Sequence, residues 1–324
     1  MKITGKDSPP SPGDWLRTSR KIAEIIAVSS QYLQGKEEAL RLCLLTFFSR
    51  GHLLIEDFPG LGKTTLAIAV AKVLGLSFGR IQCTSDLLPT DITGLSIYNK
   101  NTGEFQFHPG PIFNNIVLVD EINRATPKTQ SALLEAMGEK QTTIEGKTYK
   151  LPHPFFVIAT QNPVEQFGTF PLPESQMDRF TMKIGIGYPT RGAEKEILQV
   201  GSRREEIYSL APVLSREEVL HIQEDIRERV FVSEKVVEYL LDIVEATRSS
   251  RYTLAGISTR GILTITSVAK TNAYCNGRDF VIPEDIREVT RHTVPHRVIF
   301  REEFETLDKW GIIQAILEQI PAPA

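Results

Sequence analysis

The chain has 324 residues, of which 41% are hydrophobic and 24% are charged, and its formal net charge at pH 7 is -3. These values are ordinary for a globular protein large enough for two domains, and they give no electrostatic signal for nucleic acid or for an anionic membrane surface. The three cysteines have no metal-ligand spacing, which argues against a zinc site and against a disulfide framework.

Residues 1–13 are rich in proline, serine and glycine, which predicts a flexible N-terminal tail. This tail has no apolar run of the kind found in a signal peptide, and no apolar run elsewhere is long enough to cross a bilayer. These features indicate a cytoplasmic protein that does not enter a membrane. Two helical patterns follow between Trp15 and Phe48, one on each side of Gly35.

From residue 52 the pattern changes to short apolar runs that alternate with helical periodicity. Five runs have the length and the β-branched or aromatic content of buried strands: 52–56, 78–82, 116–119, 155–160 and 182–186. Helices are predicted at 63–74 and 127–139, the second with Thr126 as its N-cap and Pro127 in its first turn. Such alternation is typical of a parallel sheet with helices on both faces.

Two stretches of this α/β region have the pattern of β-hairpins, near residues 95–107 and 141–151. Beyond Tyr188 the patterns are helical with charged faces, and Ser215 and Glu218 have the spacing of a capping box. The predicted organisation is therefore a tail at 1–13, an α/β core at 14–189, a linker at 190–210 and an all-α domain at 211–324.

The segment Pro59-Gly60-Leu61-Gly62-Lys63-Thr64-Thr65 lies between a predicted strand and a predicted helix, which is the context of a phosphate-binding loop. Its glycines allow successive backbone N–H groups to face one centre, and the helix start adds its positive dipole end. Lys63 would contact the β- and γ-phosphates, and Thr64 would ligate Mg²⁺. Asp57 stands where the general motif has glycine, so its carboxylate should point away from the phosphates. A glycine-rich turn without a ligand is the alternative.

Asp120 and Glu121 come directly after the predicted strand at 116–119. In a P-loop fold this strand ends beside the phosphates, so Asp120 would orient Mg²⁺ or water and Glu121 would polarise the attacking water as general base. The strand at 155–160 is followed by Gln161, Asn162 and Pro163, where the asparagine would hold that water or simply form a turn. Together these motifs predict binding of ATP with Mg²⁺ and its hydrolysis.

These positions resemble the AAA+ superfamily and, within it, the MoxR family. The resemblance covers roughly residues 15–300, and it is carried by the motifs at 56–64, 86–94, 110–113, 120–125, 128–137, 159–163, 171–180 and 256–260. It also accounts for Asp57, because Glu-Asp-x-Pro-Gly is the form that this family tends to carry. The fold it implies is an α/β P-loop AAA+ core, with a parallel five-stranded sheet in an αβα sandwich, followed by a C-terminal all-α lid domain.

The resemblance also implies roles for residues outside the phosphate-binding loop. By position, Asn162 matches sensor 1, Arg179 matches an arginine finger that acts in trans in a neighbour's site, and Arg260 matches sensor 2 on the lid. From Arg260 we expect contact with the γ-phosphate across the domain boundary. The chain has Ser258-Thr259-Arg260 where the family often has Ser-Pro-Arg. Arg124 would contact a neighbour or the nucleotide, or have a local structural role.

MoxR-like proteins typically form hexameric rings and act as chaperone-like maturation factors. The resemblance therefore implies self-assembly, a partner with a von Willebrand factor A domain, and client proteins that receive metals or are assembled into complexes. A chelatase-type motor subunit is an alternative that would have the same ATP-hydrolysing core and differ only in its partner. A DNA-acting AAA+ motor is disfavoured by the net charge and by the few basic residues on the hairpins. The hairpin aromatics would grip a partner polypeptide or pack the hairpins onto their own domain: Tyr98, Phe105, Phe107 and Tyr149.

Overall fold

The structure is a computed structural model that describes residues 12–164, 168–201, 203 and 205–323. Most of the predicted tail, residues 1–11, lies outside the described residues. The first helix already begins at Pro12, so the tail was predicted two residues too long. Among the residues that the structure describes, no helix is long and apolar enough to cross a membrane.

Helices and strands alternate through the first half of the chain, and helices dominate the second. The helices are α1 (Pro12–Ser30), α2 (Glu37–Phe48), α3 (Lys63–Val73), α4 (Pro89–Thr93), α5 (Pro127–Glu139), α6 (Glu174–Met177), α7 (Arg191–Val200), α8 (Arg216–Arg229), α9 (Glu234–Ser249), α10 (Thr259–Cys275), α11 (Pro283–Thr293) and α12 (Lys309–Glu318). The strands are β1 (Leu53–Glu56), β2 (Phe78–Gln82), β3 (Gly94–Asn99), β4 (Glu104–Pro109), β5 (Ile116–Asp120), β6 (Gln141–Ile144), β7 (Lys147–Lys150), β8 (Phe156–Gln161), β9 (Met182–Ile184), β10 (Thr253–Ala255) and β11 (Ile299–Phe300).

The central sheet contains all five strands that the sequence predicted, in the order β2-β5-β8-β1-β9, and every neighbouring pair is parallel. Successive residues of a strand point to opposite faces, so Leu53 and Ile55 join one apolar cluster while Leu54 joins the other. Glu56 pairs with Gln161, and Gln82 pairs with Asp120. The sheet therefore brings the carboxyl ends of four strands to one edge.

Both ends of the chain contribute to the helical layer beside the sheet. Gln223 of α8 donates a hydrogen bond to the carbonyl of Phe47 in α2 at 2.9 Å, and Arg41 of α2 donates to Asn272 of α10 at 3.1 Å. The predicted linker at 190–210 contains α7 and a 3₁₀ turn. The C-terminal region also contains the antiparallel pair β10–β11, which the prediction of helices alone did not include. Strands of two or three residues are too short to show a period.

Local capping signals set several helix ends as the sequence predicts. The Thr126 hydroxyl accepts a hydrogen bond from the Thr129 amide at 3.4 Å, ahead of α5. At the start of α8, the Glu218 amide donates to the Ser215 hydroxyl at 3.2 Å and the Ser215 amide donates to the Glu218 carboxylate at 2.8 Å. This reciprocal capping box satisfies two backbone donors that a helix end leaves free.

The two hairpins lie against each other, and their aromatic residues divide into two kinds. Phe107 of β4 stacks on Tyr149 of β7, with ring centroids 4.2 Å apart, and also meets Phe113 edge-on. These contacts pack the hairpins onto their own domain. Tyr98 and Phe105 contact each other at 5.3 Å, yet they are 51% and 69% exposed. That exposed pair remains available for contact with another molecule.

His52 is a buried histidine that should make the folded state sensitive to acid. Because the Val157 amide donates to its Nδ1 at 3.0 Å, its Nε2 carries the proton and donates to the Met137 carbonyl at 3.2 Å. Burial lowers the pKa of His52 from 6.5 to about 4. The unfolded chain therefore binds this proton more readily, so the stabilisation is complete above pH 6.5 and is lost as the pH falls toward 4.

We expect this residue to remove about 3 kcal/mol from the free energy of unfolding by pH 4, since a tenfold difference in proton affinity corresponds to about 1.4 kcal/mol. The measurement is urea unfolding of the wild type and of His52→Gln at pH 7 and at pH 4. The stability advantage of the wild type should shrink by about that amount. An advantage that does not change with pH would show that His52 does not titrate differently in the two states.

Candidate active site

Residues 59–65 form the turn between β1 and α3, and the turn is open on its inner side. Gly60 and Gly62 have φ values of +84° and +94°, a left-handed conformation that favours glycine. A Cβ atom built on either glycine would meet no atom within 4 Å. Gly62 is the N-cap of α3, so the unpaired amides and the positive dipole end of that helix begin here. This geometry can cradle a phosphate group.

A cavity of about 520 Å³ lies at the carboxyl ends of β1, β2, β5 and β8. It is lined by Pro59, Gly60, Gly62, Lys63, Thr64, Thr65, Arg80, Gln82, Asp120, Glu121, Thr160 and Asn162. The fold therefore brings together every site residue that the sequence predicted except Leu61, Arg179 and Arg260. Leu61 lines a second cavity that shares the loop's glycines.

Asp57 and Lys63 occupy opposite sides of the loop. The Asp57 carboxylate accepts hydrogen bonds from the amides of Ile186 and Gly187 at 2.7 and 2.6 Å, so it points away from the cavity as expected. The residue thereby ties the segment after β9 to the loop. Lys63 donates to the Asp57 carbonyl. Burial lowers the pKa of Lys63, against the opposing effect of three nearby carboxylates.

The two strand-end carboxylates are held by different partners. Asp120 accepts from Arg80 Nε at 2.8 Å and from the Thr160 hydroxyl at 3.4 Å. Glu121 accepts from Arg124 at 2.9 Å and from the Gln82 side-chain amide at 3.3 Å. Cationic or amide groups thus hold both carboxylates in fixed directions beside the phosphate-binding loop. For Arg124 this is a local contact with the neighbouring carboxylate.

The backbone of Glu121 is in a conformation that few residues other than glycine adopt. Its φ and ψ are 57° and 51°, and its amide donates to the Thr160 hydroxyl at 3.0 Å. A left-handed residue of this kind costs on the order of 1–3 kcal/mol and persists where its surroundings fix it, often at functional sites. The strain is therefore a second indication, independent of the motif, that Glu121 has a specific task.

Three residues that line the cavity were missed by sequence reasoning: Arg80, Gln82 and Thr160. Arg80 and Gln82 alternate on β2, the strand next to β5. Polar residues at every second position of a strand expected to be buried on both faces were the available signal. For Thr160 the signal was weaker, because a threonine is common within a strand and its hydroxyl gains its two partners only when β5 and β8 pair.

A second cavity of about 220 Å³ adjoins the first along the phosphate-binding loop. Its walls come from residues 31–36, from the loop itself and from the segment between Pro189 and Arg203. Tyr32, Leu33 and Ile197 give it apolar surface, and Gln31 and Gln34 give it polar groups. The sequence did not predict this space, since its walls come from three distant parts of the chain.

Arg179 and Arg260 lie outside both cavities. Arg179 donates to the carbonyl of Leu134 at 2.6 Å. Arg260 is in the first turn of α10, whose N-cap Ser258 donates to Asp178 at 3.4 Å, and its charge acts on His52, which precedes β1. This cluster is at the amino ends of β1 and β9, whereas the loop follows the carboxyl end of β1. In this structure Arg260 therefore lies at the opposite end of β1 from the cavity in which this chain's phosphates are expected.

Comparison with known proteins agrees with this architecture. Residues 52–182 match the family described as "ATPase family associated with various cellular activities (AAA)", and residues 245–319 match the AAA lid domain. A crystal structure from Cytophaga hutchinsonii matches with a TM-score of 0.89 at 40% identity, over 96% of this chain and 98% of that one. Fold and site thus define an AAA ATPase core with a C-terminal lid, as the sequence predicted.

One relative names the family, and a second matches the chain over almost the whole of its length. The chain is 36% identical to Chaperone MoxR1 of Mycobacterium tuberculosis, over 98% of this chain and 86% of that protein. It is 44% identical to YeaC of Bacillus subtilis, described as uncharacterized, over 91% of this chain and 92% of the relative. The chain belongs to the MoxR family of AAA ATPases.

Proposed function

We propose that this protein binds ATP with Mg²⁺, hydrolyses it, and uses the hydrolysis to remodel or mature a partner protein. The observation that carries the proposal is the single cavity that unites the open loop, Lys63 and the carboxylates of Asp120 and Glu121. Membership of a family that includes a protein named Chaperone MoxR1 supports the partner-directed role.

The residues around the cavity suit a triphosphate and a hard divalent cation. The loop amides and Lys63 would bind the phosphate oxygens once Lys63 releases the Asp57 carbonyl. Thr64 and Asp120 supply the hydroxyl and carboxylate oxygens that Mg²⁺ prefers, and both line the cavity. Bound Mg²⁺ would neutralise charge that develops on the β- and γ-phosphates. Glu121 would accept a proton from the attacking water, and Asn162 would orient that water.

The second cavity is suited to the base and ribose of the same nucleotide. It shares Gly60, Gly62 and Thr65 with the first, so a nucleotide whose phosphates occupy the loop would extend into it. Tyr32 and Ile197 would contact the flat base, and the glutamines would give it hydrogen bonds. Because Pro189 and Arg203 flank the boundary between core and lid, nucleotide binding there would also affect the position of the lid.

Arg179 and Arg260 would both act in trans. They lie at the amino ends of the strands, at the opposite end of the sheet from this chain's own cavity, which supports a head-to-tail ring in which their face meets the neighbour's site. For Arg260 this replaces the contact expected within one chain. Arginines supplied from outside stabilise charge on the transferring phosphoryl group. We propose a hexameric ring and, by family resemblance, a partner with a von Willebrand factor A domain.

The remodelling role can be separated from a DNA-directed motor. Residues 94–109, the β3–β4 hairpin, carry Lys100 but no arginine, while the exposed Tyr98 and Phe105 offer apolar contact to a polypeptide. A chelatase-type motor subunit would have the same catalytic residues and a different partner. Insertion of a metal into the client protein would depend on the identity of the partner with which the ATPase works.

The decisive experiment is ATP-dependent capture with Glu121→Gln, which should hold ATP without hydrolysing it. Immobilised Glu121→Gln in Mg-ATP should retain a defined protein that is absent with ADP. Lys63→Ala in ATP is the matched control, because it should fail to bind the nucleotide. ATPase rates with and without DNA at low salt complete the test. Strong stimulation by DNA, with no protein retained in an ATP-dependent way, would contradict the proposal in favour of a DNA motor.

A further inference from the structure

Arg297 is a buried arginine that follows α11 and uses its whole guanidinium group. Its side chain is 1% exposed and pairs with Asp178, with Nε to carboxylate oxygen at 2.8 Å. It also donates to the carbonyls of Phe180, Thr181 and Thr293. A planar guanidinium can satisfy this many acceptors in fixed directions, which a lysine ammonium cannot do.

These contacts join two segments that are far apart in sequence. Asp178, Phe180 and Thr181 belong to residues 178–181, which connect α6 to β9 and also contain Arg179. We call these residues the Arg179 segment. On its other side, Arg297 packs against the first turn of α10, where a Cβ atom built on Gly261 would lie 3.3 Å from Arg297 Cδ. Ser258, the N-cap of that helix, donates to Asp178 at 3.4 Å.

The charge at this position has a cost that an apolar residue would avoid. Burial lowers the pKa of Arg297 to about 10, and the nearby charge of Arg260 acts in the same direction, whereas Asp178 opposes both. Buried ion pairs are often no more stabilising than apolar residues of similar volume, and their clearest value is in fixing one arrangement. Here the fixed arrangement is that of the Arg179 segment relative to the start of α10.

We propose that Arg297 is a positioning residue that holds Arg179 and Arg260 at a fixed spacing, so that both enter the neighbouring subunit's site together. This inference rests on the proposed action of these arginines in trans. Loss of Arg297 should leave the subunit's own nucleotide cavity intact. It should impair ATP hydrolysis in the neighbouring subunit's site, to which this subunit supplies Arg179 and Arg260. Misplacement of a catalytic group by about 1 Å lowers turnover on the order of 10²-fold.

The test compares Arg297→Met with Arg278→Met. Arg278 pairs with Asp285 at 2.7 Å, and Asp285 is buried in the same helical region, so this control removes a comparable ion pair without touching the Arg179 segment. Arg297→Met should bind ATP normally and turn over about 10²-fold more slowly, whereas Arg278→Met should stay within a few-fold of the wild type. If Arg297→Met does not fold, Asp178→Asn takes its place.

Rings that contain two different variants show whether the loss of Arg297 impairs the subunit's own site or the site of its neighbour. Arg297→Met mixed with Lys63→Ala should regain turnover, because the Lys63→Ala subunit supplies correctly placed arginines to an intact cavity. Arg297→Met mixed with Arg179→Ala should stay inactive, because neither subunit supplies them. Equal activity of Arg297→Met and Arg278→Met, or failure of Lys63→Ala to rescue Arg297→Met, would overturn the inference. If Lys63→Ala also fails to rescue Arg179→Ala in confirmed mixed oligomers, the proposed action in trans is itself wrong.

Discussion

Lys63→Ala should abolish ATP binding, whereas Glu121→Gln should bind ATP normally and hydrolyse it on the order of 10²-fold or more slowly. The two residues line the same cavity, but in the proposed mechanism one acts on nucleotide binding and the other on the chemical step. In the proposed mechanism Lys63 would supply the cation that offsets the charge of the β- and γ-phosphates, so its loss should act on the ground state. Glu121 would take a proton from the attacking water, so its loss should act on the chemical step.

The measurements are equilibrium binding of a fluorescent ATP analogue and steady-state phosphate release. Lys72→Ala is a matched control for the first variant, because Lys72 lies in the last turn of the same helix α3 and outside the cavity. It should bind and hydrolyse ATP at close to the wild-type level. Equal loss of binding in Lys63→Ala and Glu121→Gln would show that the two roles are assigned wrongly.

The part of the fold that the sequence predicted is the part set by local pattern. The strands at 116–119 and 155–160 are continuous apolar runs because parallel strands are covered on both faces, and both are in the sheet with the expected direction. The position of Asp57 was predictable for a similar reason. A carboxylate in the loop itself would be repelled by phosphate oxygens in direct contact with it, and two backbone amides beyond β9 receive it instead.

What the sequence did not predict depends on which distant segments meet. Arg80 reaches Asp120 because β2 pairs with β5, and nothing in the β2 residues themselves specifies that neighbour. The position of Arg260 depends on how the C-terminal helices pack around α2. The hydrogen bond between Arg297 and Asp178 joins residues that are 119 positions apart in the sequence. The structure therefore brings together the residues of the loop and the strand ends, where one strand–helix unit sets the geometry, and places Arg260 away from them. The roles inferred from the motifs stay predictions.

Arg179→Ala should bind ATP normally but remain nearly inactive at any protein concentration. The segment 171–180 contains no other cation, and Arg179 lies away from its own chain's cavity, held by the carbonyl of Leu134. An arginine supplied in trans is worth roughly 10³–10⁵ in rate in other phosphoryl-transfer systems. For the wild type, the same argument predicts slow hydrolysis by monomers and a specific activity that rises with protein concentration as rings assemble.

Mixing experiments then separate action in trans from a local effect. Arg179→Ala mixed with Lys63→Ala should recover turnover, since an intact cavity in one subunit meets an intact arginine from the other. Arg251→Ala, which removes an exposed arginine of the C-terminal region, should behave as the wild type alone and in mixtures. Two results would mean that Arg179 acts within its own subunit. One is no recovery of turnover in oligomers shown to contain both variants; the other is activity per subunit that does not depend on concentration across the assembly range. In that case the ring would be needed for contact with the partner protein rather than for chemistry.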